Sequence, residues 1–421
     1  MGLRQAAQWP LVRSVQDHLA AVMAAAVPVP PLDVVLHDAT GAVLAEDVAA
    51  PVDVPAVPVA ARDGYALAAA DAAGLVVRLP VVDDLRAGAV PGLRLAPGQA
   101  VRVASGAPLP LGADSVVPVE ETDRGTAAVA MAGPVTLGQW VRPTGADVLR
   151  GEVVLRAGTR MGARQLALAA AMGRGRLPVH PTPRVVLLSV GDELTEPPTK
   201  TAPSPDSPLT YEADGHGLEA AVRDAGAVPV RVGIVGDDHG RLRETLADQM
   251  VRADLVVITG GLSELAGDTV KDVLLAAGDL RLDHVAMTPG MRHGFGLLGE
   301  ALGRDRDVPV FALPGHPVAA QVAFEVFVRP ALRAMAGHAE VFRPSVAASV
   351  SAGWSSPAGL RQFVPVSLLG SPDEGYTATP LGDPTAPSTT ALAQANALAV
   401  VNEKMAHVRT GQVLHCLVLE G

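Results

Sequence analysis

The chain has 421 residues, 49% of them hydrophobic and only 18% charged, so it carries apolar material for several packed cores and is not a disordered polymer. A net charge of −11 argues against a nucleic-acid groove as the main business of the surface, while leaving room for a small anion in a locally positive pocket. The single cysteine, Cys416, excludes an internal disulfide and a Cys-rich zinc site.

Residues 11–26 read as a helix, with Val12, Val15, Leu19, Val22 and Met23 on one face. Pro28, Pro30 and Pro31 end it, and they also cut short the longest apolar stretch, residues 19–29. That stretch is too short to span a bilayer, and no signal-peptide pattern follows, so a cytoplasmic protein without a membrane partner is expected. From Val34 to Leu155 the texture becomes short Val-rich runs punctuated by Gly and Pro, at 75–82, 100–104, 115–119, 127–131 and 152–155. They predict a small β-rich region. Residues 162–172 return to helical texture.

From Arg184 to Gly337 apolar strands at 185–190, 228–235, 255–259 and 308–313 alternate with helices at 218–225, 241–251, 269–277 and 318–336. This alternation predicts a parallel sheet covered by helices on both faces. The linker 196–209 carries five prolines and reads as an irregular loop. Beyond Arg343 the runs 363–369, 398–401 and 413–419 predict a small β-barrel or sandwich. The fold class is therefore α/β and multidomain.

In open α/β sheets ligands bind beyond the carboxyl ends of the strands, and four such ends carry suggestive loops. They are Ser189-Val190-Gly191-Asp192-Glu193, Gly236-Asp237-Asp238, Thr259-Gly260-Gly261-Leu262-Ser263 (followed by Asp268 and Lys271), and Leu313-Pro314-Gly315-His316-Pro317. Glycines after a strand let backbone N–H groups approach an anion. Carboxylates converging there hold a hard cation beside phosphates. Singly, each loop is ordinary turn or N-cap chemistry. Together, on one sheet edge, they point to a polyanion site. Arg62-Asp63-Gly64-Tyr65, Ser105-Gly106-Ala107-Pro108 and Arg142 to Asp147 read as turns by default, and the eleven histidines show no zinc-ligand spacing.

Longer matches give these loops a context. They are Ser105 to Pro110 continuing through Gly112-Ala113-Asp114-Ser115-Val116-Val117 to Glu120, the segment 183–194 with Gly191-Asp192-Glu193-Leu194, and the segment 313–337 with Pro314-Gly315-His316-Pro317-Val318 and Val328-Arg329-Pro330-Ala331-Leu332. In this order they resemble the MoeA family, the molybdopterin molybdenumtransferases related to the E domain of gephyrin. The resemblance implies a homodimer of four-part protomers. An N-terminal helical/β domain would take residues 1–50 and 148–182, an inserted β-rich domain 51–147, a MogA-like parallel α/β domain 183–338, and a C-terminal β-barrel 339–421. It also implies Mg²⁺-dependent cleavage of adenylylated molybdopterin, insertion of molybdate as substrate, and release of AMP. By the same resemblance Asp63, Asp147, Glu193, Asp237 and Asp268 are catalytic, with Glu193 and Asp268 as the Mg²⁺ ligands. Ser105, Gly106, Gly191, Gly260, Gly261, Ser263, Lys271, Arg292, Pro314 and Gly315 would bind the ligand.

The departures from the family pattern are specific. Pro58-Val59-Ala60-Ala61-Arg62 stands where the family has Asp-Asn-Ser-Ala-Met, and Thr288-Pro289-Gly290-Met291-Arg292 stands for Lys-Pro-Gly-Lys-Pro. The family's Asp-x-Asn has become Glu212 and Asp214, and Ala146, His316, Ala319 and Leu265-Ala266 are further replacements. Charge-assisted hydrogen bonds contribute roughly 1.5–3 kcal/mol each, so two missing lysines weaken a polyanion site unless Arg62, Arg292, His293 or His316 restore the charge. Two readings follow: a molybdenum insertase, or a divergent paralogue that binds a pterin or nucleotide, or partners the enzyme, without turnover. A scaffold carries less weight, because the chain lacks a long linker and an extra domain.

Overall fold

A computed structural model of the chain describes residues 12–90, 94–199, 207–263, 268–299 and 306–419. The middle of the proline-rich linker and Leu265-Ala266 lie outside the described residues. The chain divides into two compact units, one of residues 1–32, 41–43 and 179–421, the other of residues 33–40 and 44–178.

The first unit is built on a six-stranded sheet of β1 (Arg184–Val190), β2 (Val228–Val235), β3 (Leu255–Thr259), β4 (Asp279–His284), β5 (Arg292–Leu298) and β6 (Val308–Leu313), in the order β2-β1-β3-β6-β5-β4. The first four in that order are parallel, as the apolar runs predict. Both faces are covered, so alternate residues of one strand enter different cores. Val185 and Leu187 of β1 meet Leu218 and Val222 of the helix α1 (Asp214–Asp224), while Val186 and Leu188 meet Leu242 and Leu246 of α2 (His239–Met250). A third helix, α3 (Thr269–Ala277), adds Val270 and Leu274 to the second core.

Two strands were not legible. β4 and β5 extend the sheet antiparallel to β6. Asp279–His284 alternates charged and apolar residues over only six positions, and Arg292–Leu298 contains two glycines, so neither shows a long apolar run. Because β5 runs antiparallel, its first residue, Arg292, lies at the same sheet edge as the carboxyl ends of the parallel strands. The expected helix 318–336 is present as Pro317–Ala323 and Arg329–Met335, joined through a π-helical turn at Phe324–Val328. The N-terminal helix Val15–Ala25, capped by Ser14 through the Asp17 N–H, packs Val15 and Val22 into this unit's first core.

The C-terminal residues close into a five-stranded barrel of Ser345–Val350, Arg361–Ser371, Gly375–Pro380, Ala397–Val401 and Val413–Val418, sealed where Gln362 pairs with Val401. Val364, Val366, Ala399 and Cys416 fill it. Met287–Thr288, in the connection between β4 and β5, adds a parallel strand beside Arg361 and Gln362.

The second unit contains a five-stranded sheet in the order Ser115–Pro118, Gly64–Leu67, Ala100–Val103, Val76–Leu85, Ala128–Ala132. Tyr65 and Leu67 enter one core and Ala66 the other, again by alternation.

Candidate active site

Chain order reverses at β1: β2 lies on one side of it and β3 on the other. At such a switch point the loops leaving the two strands diverge and a crevice opens. A small cleft of about 50 Å³ sits there, lined among others by Glu193, Tyr211, Glu212, Asp214, Thr259 and Gly260. Gly315 lies on its wall too, and a Cβ on Gly315 would be 3.1 Å from the Cα of Gly260. The loops after β1, β3 and β6 thus meet, as their sequence positions predict.

Gly260 is required by its surroundings. Its φ is +87°, and a Cβ there would lie 2.4 Å from the backbone oxygen of Val190, the last residue of β1. Its own N–H donates to the Leu313 carbonyl at 3.3 Å, and the Gly191 N–H donates to Val235 at 3.1 Å. Close packing of strand ends, rather than an available N–H, is what these two glycines supply.

Asp268 caps the approach to α3. One carboxylate oxygen accepts the Ser263 N–H at 2.6 Å, so that N–H is already engaged within the loop. The other oxygen, Oδ1, is buried without a hydrogen-bond partner and packs beside Gly261. Glu193 is exposed, with its carboxylate folded over Gly191. Asp237 is held by a reciprocal pair: it accepts the Asp192 N–H at 3.1 Å, and its own N–H donates to Asp192 at 3.0 Å. It fastens the loop after β2 to the loop after β1. Lys271 is buried in the first turn of α3, and Pro314 reaches the Gly290 turn, where a Cβ would be 3.0 Å from its ring.

Glu212 and Asp214, which the sequence shows only as replacements, form the floor of the cleft. Glu212 is 2% exposed and saturated with donors: the Ser189 hydroxyl at 2.9 Å, the Gly215 N–H at 2.5 Å and the Arg231 guanidinium at 3.0 Å. Asp214 is 7% exposed, its Oδ1 has no partner, and burial together with the Glu212 charge pushes its pKa up to about 7. Glu212 precedes α1 and Asp214 opens it, in a Glu-Ala-Asp-Gly run whose two acids straddle a helix start, the one signal that could have singled them out. Among the described residues one group, Glu196, Glu212 and His216, brings three possible metal ligands together. Arg231 already donates to both of its carboxylates, which argues against a cation there.

The expected replacement cations fare unevenly. His293 is fully enclosed beside His18 and Phe327, and its Nε2–H donates to the Gly290 carbonyl at 2.9 Å. Burial drives its pKa down to about 3, so it is neutral and restores no charge. Met291, in a lysine's place, is 36% exposed. Arg292 remains a cation at this edge.

In the second unit Asp63 accepts the Ser105 N–H at 2.6 Å, and the Ser105 hydroxyl donates to Ala61, so these candidates, with Gly106 after them, form one turn cluster. Asp147 pairs with Arg142 at 2.5 Å, both about half exposed. Arg62 stacks on Trp140, 4.2 Å from the ring centroid.

Comparison with known proteins agrees with this arrangement. Residues 13–173 match the MoeA N-terminal region (domains I and II), residues 186–334 the "Probable molybdopterin binding domain", and residues 347–419 the MoeA C-terminal region (domain IV). Molybdopterin molybdenumtransferase 1 of Mycobacterium tuberculosis H37Rv is 39% identical, covering 96% of this chain and 98% of its own. The Bacillus subtilis molybdopterin molybdenumtransferase is 29% identical over 92% of this chain and 89% of its own. The crystal structure of the molybdopterin biosynthesis MoeA protein of Pyrococcus horikoshii superposes with a TM-score of 0.83 at 27% identity, covering 98% of this chain and 100% of that one. With three family regions matched in order along nearly its whole length, the chain belongs to the MoeA family.

Proposed function

We propose that this protein is a working molybdopterin molybdenumtransferase of molybdenum cofactor biosynthesis, taking adenylylated molybdopterin and molybdate and releasing AMP. The observation that carries the reading is the meeting of the β1, β3 and β6 loops at the switch point, with acids beside a glycine-rich turn. Mg²⁺ fits the residues present: Asp268 Oδ1 is a buried oxygen lacking a partner, and Glu193 is an exposed carboxylate on the adjoining loop. When bound, Mg²⁺ would neutralise charge developing on the phosphoanhydride oxygens.

The chain's own groups do the rest. Lys271, Arg292, the Ser263 hydroxyl and the Gly261 backbone would hold the phosphate. Asp237 would act by fixing the two loops in register, and the strand-end glycines would exclude water by close packing. Asp63, Ser105 and Asp147 belong to this reading as residues that complete the site from the partner protomer of a homodimer. Among the described residues no helix is long and apolar enough to cross a membrane, which accords with a cytoplasmic enzyme.

The test mixes purified protein, adenylylated molybdopterin, Mg²⁺ and molybdate, and follows AMP together with active cofactor. Molybdate-stimulated AMP release, lost in Asp268→Ala, is expected. Ligand binding without AMP would favour the second reading, a non-catalytic pterin- or nucleotide-binding paralogue, for which the neutral His293 and Met291 speak.

A further inference from the structure

Asp214 is the least satisfied carboxyl bordering the cleft. It is the first residue of α1, 7% exposed, and its Oδ1 has no partner, while its neighbour Glu212 is saturated by three donors. A buried acceptor left unmade is unfavourable, and natural sites keep one where a ligand supplies the missing donor. Three carboxyls, those of Glu193, Glu212 and Asp214, line the cleft it faces, and among the described residues no lysine or arginine does. Such a lining repels an oxyanion and suits a group rich in N–H. Its volume of about 50 Å³ admits only a few atoms, at about 10–15 Å³ for each water-sized group, and not a fused ring. Tyr211 forms part of the wall, an aromatic surface for whatever ring stays outside.

A carboxylate accepts two parallel N–H bonds in the manner of its pairing with a guanidinium. The 2-amino group and adjacent ring N–H of a 2-amino-4-oxo pteridine present such a pair. Resting on the reading above, in which the ligand is a pterin, we infer that Asp214 is the specificity-determining residue that accepts this edge of the heterocycle. Its ionised form binds, so pterin capture releases a proton.

The sign follows from the free protein. Asp214 is raised to about 7, with Glu212 and Glu193 facing it in the cleft, Arg231 of β2 behind Glu212, and Glu196 and His216 beyond them. Below pH 7 the binding form is a shrinking fraction, and the apparent affinity falls in proportion.

The experiment is calorimetric titration of the full-length protein with pterin and with lumazine, its 2-oxo counterpart, from pH 5 to 7 in two buffers of different ionisation enthalpy. Expected are pterin affinity rising about tenfold per pH unit, release approaching one proton, and lumazine bound at least about tenfold more weakly. Asp214→Asn is close to isosteric and offers one acceptor and a clashing amine. It should lose the proton release and most of the preference for pterin. Equal binding of the two ring systems, a flat pH profile, or an unchanged Asp214→Asn overturns the inference, as does failure of pterin to bind. Molybdate-stimulated AMP release persisting in that case would leave the insertase reading standing alone.

Discussion

Replacing Gly260 with alanine separates two effects that usually arrive together. A left-handed φ costs an L-residue about 1–2 kcal/mol, and that penalty applies at φ +87°. Gly173, after a helix in the second unit, has φ +75° and nothing within 4 Å of a Cβ, so Gly173→Ala carries the backbone penalty alone. At Gly260 the new Cβ would sit 2.4 Å from the Val190 oxygen, where real Cβ atoms stay beyond 3.0 Å, so the β1 and β3 ends must part by about half an ångström or more. Both ends carry site loops, and a misplacement on the order of 1 Å costs about 100-fold in rate. The two variants should lower the melting temperature of their own units by a few degrees, about 2–4 °C per kcal/mol for a domain of this size. AMP release should fall about 30- to 100-fold in Gly260→Ala and stay within about twofold in Gly173→Ala. Near-wild-type turnover in Gly260→Ala, or equal loss in both, would refute the strand-end argument.

Two further outcomes are expected. Removing Arg231 strands the buried Glu212 charge; with the guanidinium side chain 19% exposed, Arg231→Ala should cost about 3 kcal/mol in urea unfolding, and the Glu212→Gln background should recover most of it. Stability should also fall as pH drops below 6.5, because His293, at about 3, and His18, lowered by burial, take up protons only on unfolding. Asp283 acts in the same direction lower down. Held to about 2 by the neighbouring His18 ring, 3.8 Å away, and by Arg13 and Arg281, it contributes fully above its unfolded value of 3.8 and loses that contribution as pH falls towards 2. Urea midpoints in His293→Gln should flatten between pH 6.5 and 3 by roughly 1 kcal/mol per pH unit, and an unchanged slope would contradict the buried, neutral imidazole.

The four parallel strands were legible because burial on both faces leaves uninterrupted apolar runs such as Val185 to Leu188, and their order placed the site loops on one edge. The barrel was legible for the same kind of reason. β4 and β5 were not, since Arg281 and Asp283 alternate with leucines and Gly294 and Gly296 interrupt the other strand. Among site residues, Asp268 and Glu193 stood out by their loops, whereas Asp214 did not, because a carboxyl at a helix start is ordinary in sequence and only its burial makes it unusual. His293 failed in the opposite direction: a histidine beside an arginine reads as charge, and the aromatic cage of Phe295 and Phe327 that keeps His18 and itself neutral is a tertiary fact.

The short strand Met287–Thr288 hydrogen-bonds to the barrel at Arg361 and Gln362, and three residues later the same segment delivers Met291 and Arg292 to the sheet edge. The barrel is therefore a splint for that hairpin connection. A chain cut before the barrel would keep its six-stranded sheet, bare the backbone groups of Met287 and Thr288, and let the turn at Gly290 drift. The register of Arg292 is set by a domain whose own strands carry none of the acids or glycines of the cleft.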